Sequence, residues 1–513
     1  MQLYGSRTQD VGKSSFNGKP HSLMNGAYKP MMSRFFNYIA LAVILTSCST
    51  LHEKPSAPDL SITKSWPTDV SFKDSGGVSA KDLQWRGYFV DSQLTSLIDS
   101  ALTNNRDLRL ALLRVQESRA SYGIQRAELF PSISLGAQAA RSRLPGDLNP
   151  TGRPLVAGDY EAYVGLNTWE LDLWGRVRSL KDAALQEYLA TEAAQRATRI
   201  SLISEVANAY LRLRELDERI ALANETIATR EESARIFRRR NEVGSVSRLE
   251  LSQVETLLLQ ARSLGAQLQQ ARATQAHALS QLVGLPIEIS PMSNTRLRDD
   301  AVFAPLRVGL PSDLLVVRPD IAAAEYRLKS RQANIRAARA AFFPRIALVG
   351  SFGTASSELD GLFDHGSRAW SFVPTISLPI FDTRRRQANL DLAQVRSNMA
   401  IAEYERTIQV AFREVSDALA SKKWLSEQVA IQRQSLETQS VRARLAQLRY
   451  DNGAATYLEV LDAQRELLEA QQQLVQMRRN LLSSHIALYT ALGGGAIDDP
   501  INGQNDRVTT STP

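Results

Sequence analysis

The 513-residue sequence is poor in the residue types that build catalytic and metal centres. Its single cysteine, Cys48, excludes an intrachain disulfide, a CxxC redox pair and a thiolate metal site. The five histidines are too far apart for a helical zinc motif, and no glycine-rich nucleotide-binding loop is present. We therefore expect no enzyme active site, no cofactor and no bound metal.

The sequence also lacks a strong excess of one charge. It has 61 Lys+Arg and 54 Asp+Glu, with a net charge of +7, and the basic residues are scattered along the chain. Nucleic acid is therefore not an expected partner. Apolar residues make up 43% and charged residues 22%, which argues against both wholesale disorder and a helical protein with many membrane spans.

One apolar run of about 12 residues follows Lys29 and Arg34 and ends at Cys48. The run is too short to cross a hydrocarbon layer of about 30 Å, but it is typical of a secretion signal. Residues 1–47 are therefore predicted to be a signal peptide. The residues before Met31 are polar, unlike the start of such a signal, which suggests a true start near Met31.

The end of this run, Leu45-Thr-Ser-Cys48, resembles the lipobox of bacterial lipoproteins. The resemblance implies that Cys48 carries a covalent lipid and becomes the mature N-terminus. Ser49, rather than Asp, follows the cysteine, and this implies the outer membrane. An ordinary signal peptide with a chance cysteine is the alternative.

The most informative pattern beyond the signal is an internal repeat. The segment from Asp107-Leu108 to Ile133 reappears between Asp320-Ile321 and Ile346, and Val243–Glu250 reappears as Asn452–Glu459. The offset stays close to 210 residues over most of the chain. We infer a duplicated unit, each copy having a helix, two strands, a long helix, a glycine turn and a second long helix.

The helical part of each repeat carries a heptad pattern of apolar residues. In the first repeat the seam consists of Leu202, Val206, Ala209, Leu213, Leu216, Ile220, Ala223 and Ile227. No proline interrupts the sequence between Arg176 and Ala278, and a single helix over 176–242 would be about 100 Å long. A filamentous coiled coil has the same pattern, so the heptads alone do not indicate transport.

Strand pairs are predicted at about 132–171 and 345–380, where apolar and small or polar residues alternate. The pattern fits either a transmembrane β-hairpin in each repeat or a soluble hairpin half-buried on a core. The residues predicted to face lipid or form an aromatic girdle are Ile133, Leu135, Val164, Leu166, Trp169, Ile346, Leu348, Phe352, Trp370, Phe372, Ile376 and Leu378. Four strands cannot close a barrel, so a membrane role requires several chains.

Several segments together resemble one family, the outer-membrane efflux factors, which comprise TolC and its lipoprotein relatives of the OprM and NodT type. The matching segments are Trp85–Leu94, Phe130-Pro131 and Phe343-Pro344, Trp169-Glu-Leu-Asp-Leu-Trp-Gly-Arg176, Leu315-Val-Val-Arg-Pro-Asp-Ile321, Leu461-Asp-Ala-Gln464 and Ala491-Leu-Gly493. The resemblance covers roughly residues 45–495, nearly the whole mature chain.

The resemblance implies a mainly α fold with a transmembrane β-barrel. Three copies of the duplicated helix, hairpin, long helix, long helix unit would form a 12-stranded β-barrel on a long α-helical barrel. The expected divisions are a signal peptide 1–47, a lipidated extended segment 48–90, a first repeat 91–300 with long helices at about 176–285, a second repeat 301–495 with long helices at about 383–493, and a polar tail 496–513.

Two turns reverse the long helix pairs, at Val243, Gly244 and Ser245 and at Asn452, Gly453 and Ala454. Glycine supplies the positive φ that commonly ends a helix. The resemblance implies that these turns form periplasmic tips that dock an adaptor protein. The alternative is that any helical hairpin needs such a turn.

Glu459 and Asp462 are three residues apart and should share one helix face. The family motif implies that this pair lines a closed periplasmic aperture, where three copies would gather six carboxylates and attract cations. The first repeat has Glu250 but Gln253 at the equivalent positions. Tyr450 matches a tyrosine that latches the tip, whereas Ala455 stands where TolC has a latching arginine.

The predicted function is therefore a passive outer-membrane exit duct of a tripartite efflux system. The resemblance implies a homotrimer, a periplasmic adaptor (membrane fusion) protein, a proton-driven inner-membrane pump and outer-membrane lipid as partners. Drugs or toxic small molecules are the expected substrates. The alternatives are a type I secretion tunnel for protein or peptide and, from a different class, a periplasmic coiled-coil scaffold without a pore.

Overall fold

The computed structural model describes residues 78–79, 82–288, 302–307 and 313–495. The predicted signal peptide, Cys48 and the tail 496–513 lie outside the described residues. None of the helices in the described part of the chain has an apolar stretch long enough to cross a membrane.

Long helices dominate each repeat. The helices are α1 Trp85–Tyr88, α2 Ser92–Asn104, α3 Arg106–Ala127, α4 Arg176–Glu242, α5 Arg248–Val283, α6 Leu314–Val317, α7 Pro319–Ala340, α8 Arg385–Asp451 and α9 Tyr457–Ala491. Helices α4 and α8 occupy equivalent places in the two repeats, and each has 67 residues, about 100 Å of helix. The predicted seam of α4 is buried or half-buried along its length.

The segment ahead of the first strand pair differs from the single helix that the sequence predicted. It is divided into α2 and α3 at Asn105. The side-chain oxygen of Asn105 accepts a hydrogen bond from the Leu108 N–H (2.8 Å) and caps α3, while its amide nitrogen donates to the Leu282 carbonyl (2.8 Å). In the second repeat, Pro319 occupies the first position of α7 after the short α6.

The strands form a four-stranded antiparallel sheet. Its members are β2 Ile133–Leu144, β3 Leu155–Glu170, β5 Arg345–Ser356 and β6 Arg368–Ser377, in the order β2-β3-β5-β6. A separate parallel pair joins β1 Val78–Ser79 to β4 Leu306–Arg307. Within the described residues, the outer edges of β2 and β6 have no strand partner.

The two faces of the four-stranded sheet differ in polarity. On one face, Val164 lies opposite both Leu135 and Phe352, and Phe352 lies opposite Trp370. The strand residues predicted to face lipid all share this face, because directly opposed residues in an antiparallel pair point the same way. They are Ile133, Leu135, Val164, Leu166, Trp169, Ile346, Leu348, Phe352, Trp370, Phe372 and Ile376. The predicted residue Leu378 follows the end of β6 and is exposed.

The other face carries mainly small and polar residues, with the opposed pair Val349 and Val373 as an apolar exception. Ser134 lies opposite Gly165, Gly165 opposite Ser351, and Ser351 opposite Ser371. The apolar face is uncovered in the single chain, where Leu135 is 86% and Trp370 75% exposed. A soluble hairpin half-buried on a core would cover that face, so this alternative does not fit the described residues.

The helices form one layer that continues from the sheet. Near the sheet, α4 packs between α3 and α7, and α8 packs on α7. Farther from the sheet, α4 packs against α5 instead of α3, and against α9 instead of α7. Glu215 on α4, with a side chain that is 0% exposed, accepts hydrogen bonds from Arg212, Arg219 and, on α9, Arg479. These bonds link the two repeats within the layer.

An aromatic core lies about halfway along the layer. Tyr88 stacks on Tyr489 of α9 with ring centroids 4.1 Å apart, and its hydroxyl donates to the His485 carbonyl (2.9 Å). The Tyr489 hydroxyl donates to the Leu83 carbonyl (2.8 Å). These contacts attach the segment around α1 to the last helix.

The pH dependence of stability should report on this core. Burial, with the nearby positive charge of Lys422, lowers the pKa of His485 to about 4 from its ordinary value near 6.5. His485 is neutral in the folded protein, whereas unfolding exposes it to protonation. Stability should therefore fall as pH decreases from 6.5 to 4, by up to about 3 kcal/mol. Thermal unfolding of the His485→Gln variant should show a smaller decrease in midpoint over this range. The exposed His277→Gln variant is the matched control, and an identical pH profile for all three proteins would contradict the assignment.

Candidate functional site at the helical tips

The two glycine turns have the same backbone geometry. After α4, Gly244 has φ +75°, its N–H donates to the Asn241 carbonyl (3.0 Å), and the Ser245 N–H donates to the Arg240 carbonyl (2.9 Å). After α8, Gly453 has φ +71° and the same two bonds recur. Both are Schellman motifs, in which glycine takes the left-handed conformation at low cost.

The tips present exposed residues. The residues predicted to dock an adaptor, Val243, Gly244, Ser245, Asn452, Gly453 and Ala454, are all exposed. Leu249 is 69% exposed, and its repeat equivalent Leu458 is 54% exposed. The tips therefore carry apolar side chains that the single chain does not cover, although their docking role stays a prediction.

Glu250 caps its own helix. Its carboxylate accepts hydrogen bonds from the Ser247 N–H (2.8 Å) and hydroxyl (3.0 Å), while the Ser247 oxygen accepts from the Glu250 N–H (3.1 Å). This capping box lowers the pKa of Glu250, chiefly through the backbone N–H. Gln253 is half-buried farther along α5. Glu250 thus stabilises the start of its own helix. Among the described residues, neither Glu250 nor Gln253 contacts Glu459 or Asp462.

Glu459 and Asp462 each pair with arginine. Arg449 Nη1 lies 2.7 Å from Glu459 Oε1, and Arg442 Nη2 lies 2.7 Å from Asp462 Oδ2. Arg465 Nη2, on the same helix as the acids, is 2.6 Å from Asp462 Oδ1. Both acidic side chains are 40% exposed. The acidic pair therefore belongs to a balanced ionic cluster that joins α8 to α9.

Tyr450 links the two helical hairpins. Its hydroxyl accepts a hydrogen bond from Arg240 Nη1 of α4 (2.7 Å). Beside it, the Tyr457 hydroxyl donates to Ser233 Oγ (2.9 Å), and the ring of Tyr457 packs 4.4 Å from that of Phe237. Arg240 thus places a positive charge at the tip, which the uncharged side chain of Ala455 cannot provide.

Sequence reasoning missed these arginines, although the duplication contained a signal for two of them. Arg240 and Arg449 are equivalent positions of the two repeats, each close before a glycine turn. One binds Tyr450 and the other binds Glu459. Arg465 follows Asp462 by three residues, a spacing that favours an ion pair on one helix face.

The described residues contain no cluster of three or more His, Cys, Asp or Glu side chains that could hold a metal ion. The groups available at the tips for binding another protein are therefore hydrogen-bonding, ionic and exposed apolar side chains.

Comparison with known proteins agrees with this architecture. The family described as outer membrane efflux protein matches residues 97–285 and 310–494. The chain is 43% identical over 488 residues to the toluene efflux pump outer membrane protein TtgF of Pseudomonas putida, covering 92% of this chain and 100% of TtgF. It is 42% identical over 462 residues to the outer membrane protein OprJ of Pseudomonas aeruginosa, covering 89% and 94% of the two chains.

Solved structures are also similar. A membrane protein from Pseudomonas aeruginosa superposes with a TM-score of 0.79 at 41% identity, over 86% of this chain and 99% of that one. The open state of the MtrE outer membrane channel of Neisseria gonorrhoeae superposes with a TM-score of 0.78 at 36% identity, over 86% and 98%. The chain therefore belongs to the outer membrane efflux protein family, a family of channels, and is the outer-membrane channel of an efflux system.

Proposed function

We propose that three copies of this chain form a lipid-anchored exit duct, which passively conducts small molecules across the outer membrane. The observation that carries the proposal is the sheet, with one apolar face, one polar face and two open edges. Lipid cannot provide hydrogen bonds to an open edge, so the edges must pair with other strands. Three sheets of four strands make a barrel of twelve, within the range of known outer-membrane barrels.

The helical layer would continue the pore into the periplasm. Helices of about 100 Å are long enough to extend well beyond the membrane. A closed ring of three layers would place the tips at the far end, where an adaptor protein and an inner-membrane pump would complete the path. A lipid on Cys48 would hold the chain at the outer membrane. The sequence lacks a glycine-rich nucleotide-binding loop, so the energy for transport would come from the partners. A proton-driven pump is the partner that we expect.

Small molecules are the favoured substrates over protein or peptide. Relatives at 40–43% identity carry names such as toluene efflux pump and antibiotic efflux pump outer membrane protein. These names support the small-molecule branch for this chain.

The acidic residues near the tips would line the narrow end of the duct. Three copies of Glu459 and Asp462 would meet around the axis, each held by an arginine of its own chain. Opening would then require the tip contacts, including that of Arg240 with Tyr450, to separate.

Membrane insertion should depend on which sheet face is changed. Phe372→Arg would place a charge on the apolar face and should destabilise the inserted protein by about 2–4 kcal/mol near the bilayer midplane. Ser371→Arg, one residue earlier and on the polar face, is the matched control and should have a much smaller effect. Urea unfolding in lipid vesicles measures both. Equal destabilisation by the two variants would contradict the assignment of the faces.

Planar bilayers test the channel and its aperture together. We expect purified wild-type protein to give discrete single-channel steps. The double variant Glu459→Gln, Asp462→Asn should release the arginines and raise conductance about twofold or more.

Glu466→Gln is the matched control, because Glu466 also pairs with Arg465 (3.0 Å) but lies one turn farther from the tip. Unchanged conductance in the double variant would contradict the assignment of the acidic pair to the aperture. Absence of steps from all three proteins would favour the coiled-coil scaffold over the channel.

A further inference from the structure

A groove runs along the helical layer on the membrane side of the aromatic core. It consists of two adjoining cavities, of about 510 and 600 Å³. The first lies between α4, α7 and α8, next to the sheet, and the second continues between α7 and α8. Arg331 of α7 and Arg396 of α8 line both cavities, so the two form one continuous groove.

The charge of this groove is strongly positive. Its first cavity is lined by Arg176, Arg331, Arg386 and Arg396, and among the described residues no carboxylate lines it. Arg176 and Arg386 are ion-paired, with Glu170 and Asp382 respectively, at 2.7 Å each. Unbalanced positive charge in the first cavity therefore comes from Arg331 and Arg396. The second cavity adds Arg327 and one carboxylate, Glu403, which pairs with Arg406 (2.8 Å).

Arg331 and Arg396 have no hydrogen bond or ion pair with any side chain in the described ranges. A guanidinium presents several N–H donors in a plane that matches carboxylate, sulfonate and phosphate groups. Two such groups facing one groove are therefore suited to an anion.

The uncharged lining is mainly aliphatic, with Asn334 and Asn389 as its polar members. Leu180, Leu392 and Met399 line the groove together with several alanines. A cavity of this size with apolar walls and a few fixed polar groups is typical of a site for a small organic molecule. The combination fits an organic anion with an apolar body better than an inorganic ion.

One lining residue connects the groove to the polar sheet face. Arg176, which lines the groove, binds Glu170 at the end of β3, and Arg345 binds the same carboxylate (2.7 Å). Glu170 lies opposite Ala347, on the face that carries Gly165 and Ser351. In a barrel with its apolar face toward lipid, this face lines the interior, so the groove would face the lumen.

We propose that this groove is a binding site for amphiphilic organic anions on the inner wall of the duct, held by Arg331 and Arg396. The proposal rests on the channel function proposed above, which places the groove in the lumen. Three copies would form a basic ring just below the barrel, which anionic substrates would meet before they leave through it.

Equilibrium dialysis tests the site with naphthalene-1-sulfonate as the anionic probe. The full-length protein is held in nanodiscs of zwitterionic lipid, with empty nanodiscs as the blank. We expect saturable binding to the wild type and no saturable binding of 1-naphthylmethylammonium, a cation with the same rings. The double variant Arg331→Gln, Arg396→Gln should raise the Kd for the sulfonate about tenfold or more.

Arg336→Gln is the matched control, because Arg336 lies on α7 about 140° around the helix from Arg331 and lines neither cavity. It should change the Kd by less than about twofold. A second variant, Arg331→Lys with Arg396→Lys, should retain most of the affinity, which separates the effect of charge from that of folding. Wild-type affinity in the double Gln variant, or equal weakening by Arg336→Gln, would overturn the proposal.

The two proposals fail in different ways. Protein that conducts ions in bilayers but binds no sulfonate would refute the anion site alone. Arginine-dependent binding by protein that gives no conductance would instead refute the channel, and with it the location of the groove in a lumen.

Discussion

The structure depends on two opposite requirements of the four-stranded sheet: its apolar face must avoid water, and its open edges must avoid lipid. In water, the apolar face is exposed, with Leu135 at 86% and Ile376 at 72%. In lipid that face is satisfied, but the free N–H and C=O groups along β2 and β6 are not. Pairing of these edges with those of other copies satisfies both at once. Membrane insertion and assembly are therefore expected to be coupled, because neither environment suits the single chain.

The duplication is used in different ways at the two ends of the molecule. Each repeat contributes one hairpin to the sheet, with directly paired central strands. At the tips the equivalent residues differ in their partners. Glu250 caps its own helix, whereas Glu459 binds Arg449 and leaves the N-cap Thr456 without a side-chain hydrogen bond. The two hairpins share their turns and differ in their ionic contacts, so any gate built from them draws its acidic pair from the second repeat.

The sequence predicts the elements better than it predicts their contacts. The seam beginning Leu202, Val206 and Ala209 is buried, and the alternation in the strands identifies a shared apolar face, because both depend on local periodicity. At Asn105 the capping bond to Leu108 is local, but the bond to the Leu282 carbonyl involves a distant helix, and no local pattern contains it. The same holds for Arg442 and Asp462, whose pairing depends on the axial register of α8 and α9. Arg331 and Arg396 lie on separate helices, and only packing places them in one groove.

The contacts at the tips divide into two kinds that respond differently to movement. The pairs of Arg442 and Arg449 with the acids lie within one hairpin, α8 and α9, and move with it. The bonds of Arg240 with Tyr450 and of Ser233 with Tyr457 join that hairpin to α4. Any displacement of one hairpin relative to the other must break the second kind and can leave the first intact. The bond of Arg240 with Tyr450 is exposed, and exposed polar contacts typically contribute only about 0–1 kcal/mol each. Separation of the tips must also break a buried apolar cluster, in which Phe237 of α4 packs with Tyr457 and Val460 of α9. Glu215 and its three arginines hold the layer together farther up.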